Sequence, residues 1–552
     1  MGVSQPRLRG YCLAEGVARP PTNSDVRPTP INRFFSALAL WELMDESQRP
    51  REVWFLLTPE ADSVAWAAVQ AEAEQIGVRV HSLRIPAAAG SDDFLHQVAE
   101  QIPTGSSLTI DITQGLRHHA FLFFALSMYL SMFRDIALDG VWYAQKLSDS
   151  SDAPRAFVDL EPVQRLVRWF VALTVFNDTG STKELARLVG HRKLRDLLEE
   201  FSEEFMTGLP MEAGITASKA SKLLQQLGPS VLGVPLSDEL HTQIGDSLAP
   251  YCLEIDPKKA RELDEQELQR QKVFIEQYLR SGQSNLAYGF MREWVVSSVM
   301  HHHNVRRGWL KGGHRENFEN KLGALITLIR TEDDPNRGRL DAEQRAYAQR
   351  LQKLINIRNA LQHHGMQETE FPKKAMRKLV NAWHQANWGV YPPLGGDSGR
   401  LLICPVNKSV GVLYSALCHT RPQRCFIICT EAGAAEVARA FAAADWDGEH
   451  DLVIIEDPKG GYAQRKPLIQ HVSRWLYDAK DVAVSLTGGT TLMSILAGQV
   501  AQHAGRAYHR PTWEFVLIDR REREEQRQNP WVVSELQTIS EKSNNFEETA
   551  GV

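Results

Sequence analysis

Cysteine is scarce in this chain of 552 residues: Cys12, Cys252, Cys404, Cys418, Cys425 and Cys429 lie scattered, with no CxxC pair. That spacing excludes a zinc ribbon or a disulfide framework and points to a reducing compartment. Cys425 and Cys429 share one apolar, strand-like run and read as core thiols. An excess of one charge is also missing. The 62 Lys+Arg and 68 Asp+Glu leave a formal charge of -6, so any nucleic acid is met by a local patch or pocket and not by the net field. Long apolar runs are absent too. The most apolar stretch, Phe121 to Phe133, falls well short of the roughly 20 residues of a membrane span and is flanked by Arg117 and Arg134. The opening MGVSQPRLRG has no signal-peptide core, so the expectation is a cytoplasmic protein without membrane attachment. Neither GxxxxGK[ST] nor GxGxxG occurs, which excludes a Walker A loop and the dinucleotide fingerprint.

At roughly 100 to 200 residues per domain, the length predicts three or four domains. From Arg51 to Leu160, strand-like runs (Val53 to Leu57, Val78 to Ile85, Leu108 to Thr113, Gly140 to Ala144, Ala156 to Leu160) alternate with helical patterns, the signature of an α/β unit with a mostly parallel sheet. Leu8 to Gly16 reads weakly as a further strand. The apolar helix from His119 to Phe133 is expected to be buried on several sides. From Pro162 to Trp388 the helical period dominates, as in Val273 to Arg280, Leu286 to Val299, Asn320 to Ile329 and Ala342 to His364. The Pro/Gly-rich stretch Trp388 to Gly399 reads as a connection between independently folded parts. Strand signals then return at Leu401 to Val406, Cys425 to Thr430, Leu452 to Asp457, Val482 to Thr487, Phe515 to Ile518 and Trp531 to Leu536. The expected plan is α/β plus all-α: two Rossmann-like domains, 1–161 and 400–538, flanking a helical region, 162–388, with a linker at 389–399 and a disordered tail at 539–552.

In each α/β region one strand ends in a Gly-containing polar turn that leads into an apolar helix: Leu108-Thr-Ile-Asp-Ile-Thr-Gln-Gly-Leu-Arg117 and Val482-Ala-Val-Ser-Leu-Thr-Gly-Gly-Thr-Thr-Leu-Met493. Open parallel sheets bind ligands at the carboxyl ends of their strands, where glycine lets the backbone approach and a helix N-terminus offers N–H groups to phosphate. Either turn alone also reads as a plain strand-to-helix turn with a capping Thr. Recurrence in two domains favours a ligand. After the first C-terminal strand, Asn407, Lys408 and Ser409 stand where a phosphodiester or ribose hydroxyl could be held, if that strand is central; an exposed polar loop is the alternative.

In the helical region, Arg358-Asn-Ala-Leu-Gln-His363 closes an amphipathic helix marked by Leu351, Leu354, Ile355 and Leu361 and stopped by Gly365. Five residues turn a helix by roughly 500°, so Arg358 and His363 stand about 140° apart and about 7.5 Å along the axis. One helix does not converge both on a phosphate, whereas a two-fold copy supplies the missing groups. The helix end favours an imidazolium at His363, Arg358 suits the charge on a phosphate in flight, and Asn359 could orient one of them. A surface Arg and a helix-end His are the bland alternative. His301-His302-His303 reads as a solvated helix end, since consecutive helical residues diverge and no carboxylate follows at ligand spacing. Arg306-Arg307 with Lys311, His314 and Arg315 reads as an RNA guide or a solvated loop, and Arg520 to Arg527 as a solvated face.

On these residues the chain resembles the Csx and Csm-type CRISPR-associated ribonucleases of type III systems. Asp111-Ile-Thr-Gln-Gly-Leu-Arg117 is similar to their cyclic-nucleotide sensor (CARF) turn, Arg358-Asn-Ala-Leu-Gln-His363 to the RxxxxH motif of their HEPN nuclease domain, and Thr487-Gly-Gly-Thr-Thr-Leu-Met493 to sensor turns of related ancillary nucleases. The resemblance implies a cyclic-oligoadenylate-activated, metal-independent endoribonuclease that cuts single-stranded RNA in a cleft of a homodimer or higher even oligomer, leaving a 2',3'-cyclic phosphate and a 5'-hydroxyl. The implied activator is cyclic tetra-adenylate first and cyclic hexa-adenylate second, with no other cofactor. Implied catalytic residues are Arg358 and His363 with Asn359 in support. Implied ligand contacts are Thr113, Gly115 and Arg117 in the first sensor and Thr487, Gly488, Gly489, Thr490 and Thr491 in the second, beside Asn407, Lys408 and Ser409. Gln114 stands where members often carry His, and the first sensor lacks a Gly-rich loop after its first strand, which makes the C-terminal sensor the expected receptor. Lys408 and Ser409 are the candidates if the sensor also cuts its ligand. The competing expectation is a non-catalytic nucleotide-sensing protein whose helices only dimerise or dock a partner. A metabolic enzyme with a nucleotide cofactor is disfavoured because no cofactor fingerprint occurs.

Overall fold

The computed structural model describes residues 9–13, 30–85, 91–115, 117–134, 136–150, 153–254, 261–363, 373–385, 388–457 and 461–542. The chain forms two compact units, the first of residues 1–177, 181–203 and 219–249 and the second of residues 178–180, 204–218 and 250–552.

The first unit holds β1 (Arg9–Leu13), β2 (Ile31–Arg33), α1 (Ser36–Leu43), β3 (Glu52–Leu57), α2 (Pro59–Ile76), β4 (Arg79–Arg84), α3 (Ser91–Gln101), β5 (Ser107–Asp111), α4 (Arg117–Phe133), β6 (Ala137–Lys146) and β7 (Arg155–Asp159). The helices α5 (Glu161–Thr179), α6 (Lys183–Leu188), α7 (Arg192–Thr207), α8 (Pro210–Leu227) and α9 (Ser237–Leu248) follow. The strands match the sequence signals, but their pairing corrects the expectation of a mostly parallel sheet. The order is β2-β1-β7-β6-β5, with β3 and β4 as a separate parallel pair. β1–β7 and β5–β6 are parallel, whereas β1–β2 and β6–β7 are antiparallel. The connection from β6 to β7 spans only residues 147–154, long enough for a hairpin and too short for the crossover that a parallel pair requires. Helix α4 departs in part. Leu126 and Leu130 face a core with Val98 and Ala99 of α3, while Phe121 and Phe133 are 76% and 73% exposed. A second face lies against α5, where buried Gln164 donates to Ser127 and Arg168 to Ser131, so α4 is covered on two sides and exposed along the Phe121–Phe133 stripe.

The second unit opens with α10 (Glu265–Arg280), α11 (Ser284–His302), α12 (Gly312–Arg330), α13 (Ala342–Gln362) and α14 (Lys373–Gln385). It continues with β8 (Arg400–Val406), α15 (Gly411–Thr420), β9 (Arg424–Cys429), α16 (Glu431–Ala443), β10 (Glu449–Ile454), α17 (Arg465–Asp478), β11 (Asp481–Ser485), α18 (Thr491–Tyr508), β12 (Thr512–Ile518), α19 (Arg523–Gln528) and β13 (Glu535–Lys542). Capping chemistry sets several starts. Asp341 forms a reciprocal capping box with Gln344 at α13, and Asp264 caps α10. The sheet runs β10-β9-β8-β11-β12-β13, parallel except for β13. Cys404, Cys425 and Cys429 are buried in it as free thiols. Burial pushes Cys404 up to about 12 and Cys429 up to about 11, so both stay protonated at neutral pH.

Trp388 to Gly399 does not behave as a connector between separate parts. Trp388 packs edge-on to Trp294 and Tyr347, Tyr391 bonds Ser298 at 2.7 Å, and Tyr477 donates to the Pro393 carbonyl at 2.9 Å. The helices and the sheet share one continuous core, in which Trp294, Leu325 and Leu351 join Leu401, Val484 and Leu496. Apolar residues within the Pro/Gly stretch make it part of that core. Trp531 to Ser534 also departs from the expected strand. Ser415 of α15 donates to the Val532 carbonyl and accepts from the Ser534 amide at 3.0 Å, which holds this segment on α15. β13 begins only at Glu535 and runs to Lys542, so residues 540–542, expected in the tail, pair with β12. Residues 543–552 and Gly365 lie outside the described residues.

A buried ion pair anchors α10. Glu267 is fully buried and accepts from Arg270 Nε and Nη2, both at 2.8 Å, while Arg270 also donates to the Pro210 carbonyl at 2.8 Å. Removing one partner leaves the other charge buried and uncompensated, at a cost of about 3–5 kcal/mol. Glu267→Ala is therefore expected to lower the unfolding free energy by about that amount in urea titrations, whereas a loss below about 1 kcal/mol would place the pair in the surface class.

Candidate functional site

The C-terminal sheet reverses its winding between β8 and β11, because β9 and β10 lie beyond β8 on one side and β12 lies beyond β11 on the other. A crevice at the carboxyl ends of strands at such a switch point is where doubly wound sheets take ligands. β8 is thus central, as the sequence reading of Asn407–Ser409 required. Three loops meet there. The Asn407 amide donates to the Gly488 carbonyl at 3.0 Å, joining the loops after β8 and β11. Asn407 Oδ1 accepts from Thr430 Oγ1 at 3.1 Å, which brings in the loop after β9. Thr430 in turn caps α16 by accepting from the Gly433 amide. Lys408 and Ser409 are exposed at the rim.

The turn after β11 is built for close backbone approach. Gly488 has φ +120°, and a Cβ there would stand 2.4 Å from the Pro405 carbonyl oxygen. Ala at this position combines left-handed strain with a backbone clash that no side-chain rotation relieves. Gly488→Ala is expected to cost about 1–3 kcal/mol and to loosen the crevice, read as a lower denaturation midpoint of the whole chain. An unchanged midpoint would show that the turn adapts. Thr490 caps α18 by accepting from the Met493 amide, and Thr491 is the first helical residue. Neither α15 nor α18 carries an acid in its first turn, so both helix N-termini keep their affinity for anions.

The N-terminal turn repeats the same device. Asp111 Oδ1 accepts from the Thr113 amide at 2.9 Å, as Ser485 Oγ accepts from the Thr487 amide at 3.3 Å. Thr113 Oγ1 accepts from the Ala144 amide of β6 at 2.8 Å, as Thr487 Oγ1 accepts from the Leu517 amide of β12 at 2.9 Å. The helix starts four residues after the clamping Thr in both, at Arg117 and at Thr491. The lone pairs of both Thr hydroxyls therefore clamp the turn to the next strand, and the turn's main chain is what faces outward. Burial pushes the Asp111 carboxyl above the usual range, offset by hydrogen bonds from Ser36 and Thr113. The surroundings differ between the two regions. β5 is an edge strand, and the segment before α1 covers its turn, with Gln114 donating to the Phe34 carbonyl and Ser36 to Asp111. Gly115 is exposed, and the side chain of Arg117 lies outside the described residues.

In the helical bundle, Arg358 and Asn359 stand near the end of α13, and His363 is its C-cap. Arg358 Nη1 donates to Asn359 Oδ1 at 3.1 Å. Among the described residues no hydrogen bond joins Arg358 to His363, in keeping with their helical offset. Arg358 is half-buried, whereas Asn359 and His363 are exposed. Burial and the like charge of Arg292 push the Arg358 guanidinium down, and Glu293 and Glu319 oppose the shift. Those carboxylates belong to a network absent from the sequence reading. Arg292 Nη2 meets Glu319 at 2.8 Å, and Arg315 meets Glu293 at 2.6 Å. The i,i+4 spacing of Arg315 and Glu319 was the available signal, but their partners come from another helix.

The His301–His303 segment ends α11 with His302 and His303 exposed, as expected, though each ring also touches a neighbour. His302 stacks on Tyr391 with ring centroids 4.1 Å apart, and His303 tilts against Phe318. Among the described residues no group of three or more His, Cys, Asp or Glu is placed to hold a metal ion, and no helix is long and apolar enough to cross a membrane.

No family model matches the sequence, nor does any curated protein. Two solved structures are locally similar. One is Can2 from Sulfobacillus thermosulfidooxidans in complex with cyclic tetra-adenylate, at 18% identity and a TM-score of 0.17 over 21% of this chain. The other is a type III CRISPR defence DNA nuclease activated by cyclic oligoadenylate, at 19% identity and a TM-score of 0.17 over 26% of this chain. The chain spans 31% and 27% of the lengths of those two proteins.

Proposed function

We propose that the chain is a cyclic-oligoadenylate-activated endoribonuclease of type III CRISPR defence that cuts single-stranded RNA, without a metal, at a site completed by a second copy of the chain. The observation that carries the proposal is the crevice at the β8/β11 switch point, where Asn407 ties three loops together beneath two acid-free helix N-termini. In the same compact unit an RxxxxH helix presents Arg358 and His363. A cyclic tetra-adenylate would lay its phosphates against the Gly488–Thr491 backbone and Lys408. The first α/β region, whose edge-strand turn is covered by the Phe34 segment, would act as its pseudo-symmetric partner.

In the proposed reaction the RNA 2'-oxygen attacks the adjacent phosphorus as the bond to the 5'-oxygen breaks. One imidazole takes the 2'-hydroxyl proton, and the two-fold-related His363 delivers a proton to the leaving 5'-oxygen. Arg358 balances the charge on the phosphorane, held in direction by Asn359. The products carry a 2',3'-cyclic phosphate and a 5'-hydroxyl. The test is an activated digest of an RNA with a single 2'-deoxy nucleotide at the cut position. Loss of that cut alone, with cyclic phosphate ends elsewhere, is expected. Cleavage through the deoxy position, or 5'-phosphate ends, would contradict the chemistry. Cyclic tetra-adenylate binding with no RNA cleavage at all would favour the non-catalytic sensing protein.

A further inference from the structure

Two helices packed on each other, α18 and α12, link the crevice to the surroundings of Arg358. Helix α18 starts at the crevice and packs along α12, where Leu322 and Leu325 share a core with Leu496, Val500 and Ala504. The absence of a side chain at Gly323 admits the ring of His509, which lies 3.1 Å from where a Cβ would stand. Just past the end of α12, Asp334 accepts from the hydroxyl of Tyr508, the last residue of α18, at 2.6 Å. Asn336, fully buried, donates to Tyr508 at 3.4 Å and to the Ser473 carbonyl at 3.1 Å. Buried hydrogen bonds of this kind resist slippage, because breaking one strands a polar group away from water.

The N-terminal half of α12 carries Arg315 and Glu319. These interlock with Arg292 and Glu293 of α11: Arg292 meets Glu319 at 2.8 Å, and Arg315 meets Glu293 at 2.6 Å. Both α11 and α12 pack on α13, and the charges of Arg292, Glu293 and Glu319 act on Arg358. Arg358 Nε is buried and has no hydrogen-bond partner among the described residues. Glu319 is therefore a carboxylate on the helix that packs against α18, held by one arginine beside a second whose Nε is unsatisfied among the described residues.

We propose that Glu319 is a positioning residue for Arg358 and that α12 carries the state of the crevice to it. Displacement of α18 by a phosphate-bearing ligand moves α12, and Glu319 transfers from Arg292 to Arg358 Nε. Arg292 keeps Glu293, and the transfer fixes the outer guanidinium edge toward the scissile phosphate. A ligand drives this exchange only through its different affinity for the two arrangements. The inference rests on the proposed nuclease function.

The test measures cyclic tetra-adenylate binding, RNA cleavage and hydrogen exchange on the full chain. Glu319→Gln is expected to keep the activator dissociation constant within about twofold while lowering kcat at saturating activator by about tenfold with KM unchanged, and Glu319→Asp to recover part of the loss. Tyr508→Phe is expected to lower the ratio of activated to basal rate several-fold with unfolding stability retained. A wild-type kcat in Glu319→Gln, or a Tyr508→Phe chain with the full activation ratio, overturns the inference while leaving the nuclease intact. If no ring triggers cleavage in the parent chain, the nuclease proposal fails separately, and slowed or quickened amide exchange in α12 on cyclic tetra-adenylate binding then decides the coupling. Unchanged exchange there in the parent chain, which remains the readout if Glu319→Gln fails to fold, overturns it.

Discussion

Arg358→Ala and His363→Ala are each expected to abolish activated RNA cleavage, with kcat lower by about 10²–10³ for the arginine and about 10²–10⁴ for the histidine. The reasons differ. In the proposed reaction Arg358 stabilises charge that grows only in the transition state, so its loss should lower kcat and kcat/KM together and leave KM nearly unchanged. His363 in the same proposal moves protons, so its loss should also flatten the pH dependence of kcat. His363 is exposed, and Arg358 is only half-buried and bonded to its neighbour Asn359. Neither removal opens the core at Leu351, Leu354 and Ile357. Loss of activity with the unfolding midpoint retained is the expected pattern. Asn359→Ala removes the 3.1 Å bond to Arg358 and should fall between the parent and Arg358→Ala.

Lys408→Ala and Thr490→Ala are each expected to raise sharply the cyclic tetra-adenylate concentration needed for activation while leaving the trace activity without activator unchanged. A charge-assisted bond to phosphate contributes about 1.5–3 kcal/mol, so loss of Lys408 should raise the half-activating concentration by about 10- to 100-fold. Thr490 has a second role that must be separated. It caps α18, and Ala at an N-cap costs about 0.5–2 kcal/mol of stability. Thr490→Ser keeps the capping oxygen and should restore the cap and most of the ligand response. Arg117→Ala in the first α/β region should only weaken activation. Activator titrations of cleavage, beside direct binding measurements, check the set. Full activation surviving both C-terminal changes but lost with Arg117→Ala would transfer the receptor to the first region.

The second unit was largely legible in the sequence because its signals are local. Strands such as Arg400–Val406 and Arg424–Cys429 are continuous apolar runs of a sheet buried on both faces, and Asp341 with Gln344 announces α13. The clamp shared by Thr113 and Thr487 was visible as a repeated turn. Its hydrogen-bond partners, Ala144 and Leu517, lie 31 and 30 residues away and were not. Pairing in the first unit was misread because periodicity reports where strands occur, whereas the short link between β6 and β7 decides their direction. The Pro/Gly stretch was misread for a related reason. Composition marks Pro393 and Gly395 as breakers, while the burial of Trp388 and the bond from Tyr391 to Ser298 depend on helices about 90 residues earlier. The Arg292–Glu319 network joins two helices, so the i,i+4 spacing of Arg315 and Glu319 marks a charged helix face without naming its partners on α11.

The central claim is that a ligand in one part of the second unit switches on metal-free RNA cleavage at Arg358 and His363 in another. Its most direct test is a fluorogenic single-stranded RNA incubated in EDTA with cyclic tri-, tetra- or hexa-adenylate, for the parent chain beside Arg358→Ala and His363→Ala. The expected result is cleavage by the parent chain with cyclic tetra-adenylate, undiminished by EDTA and lost in both variants. No cleavage with any ring, or cleavage indifferent to both substitutions, would contradict it.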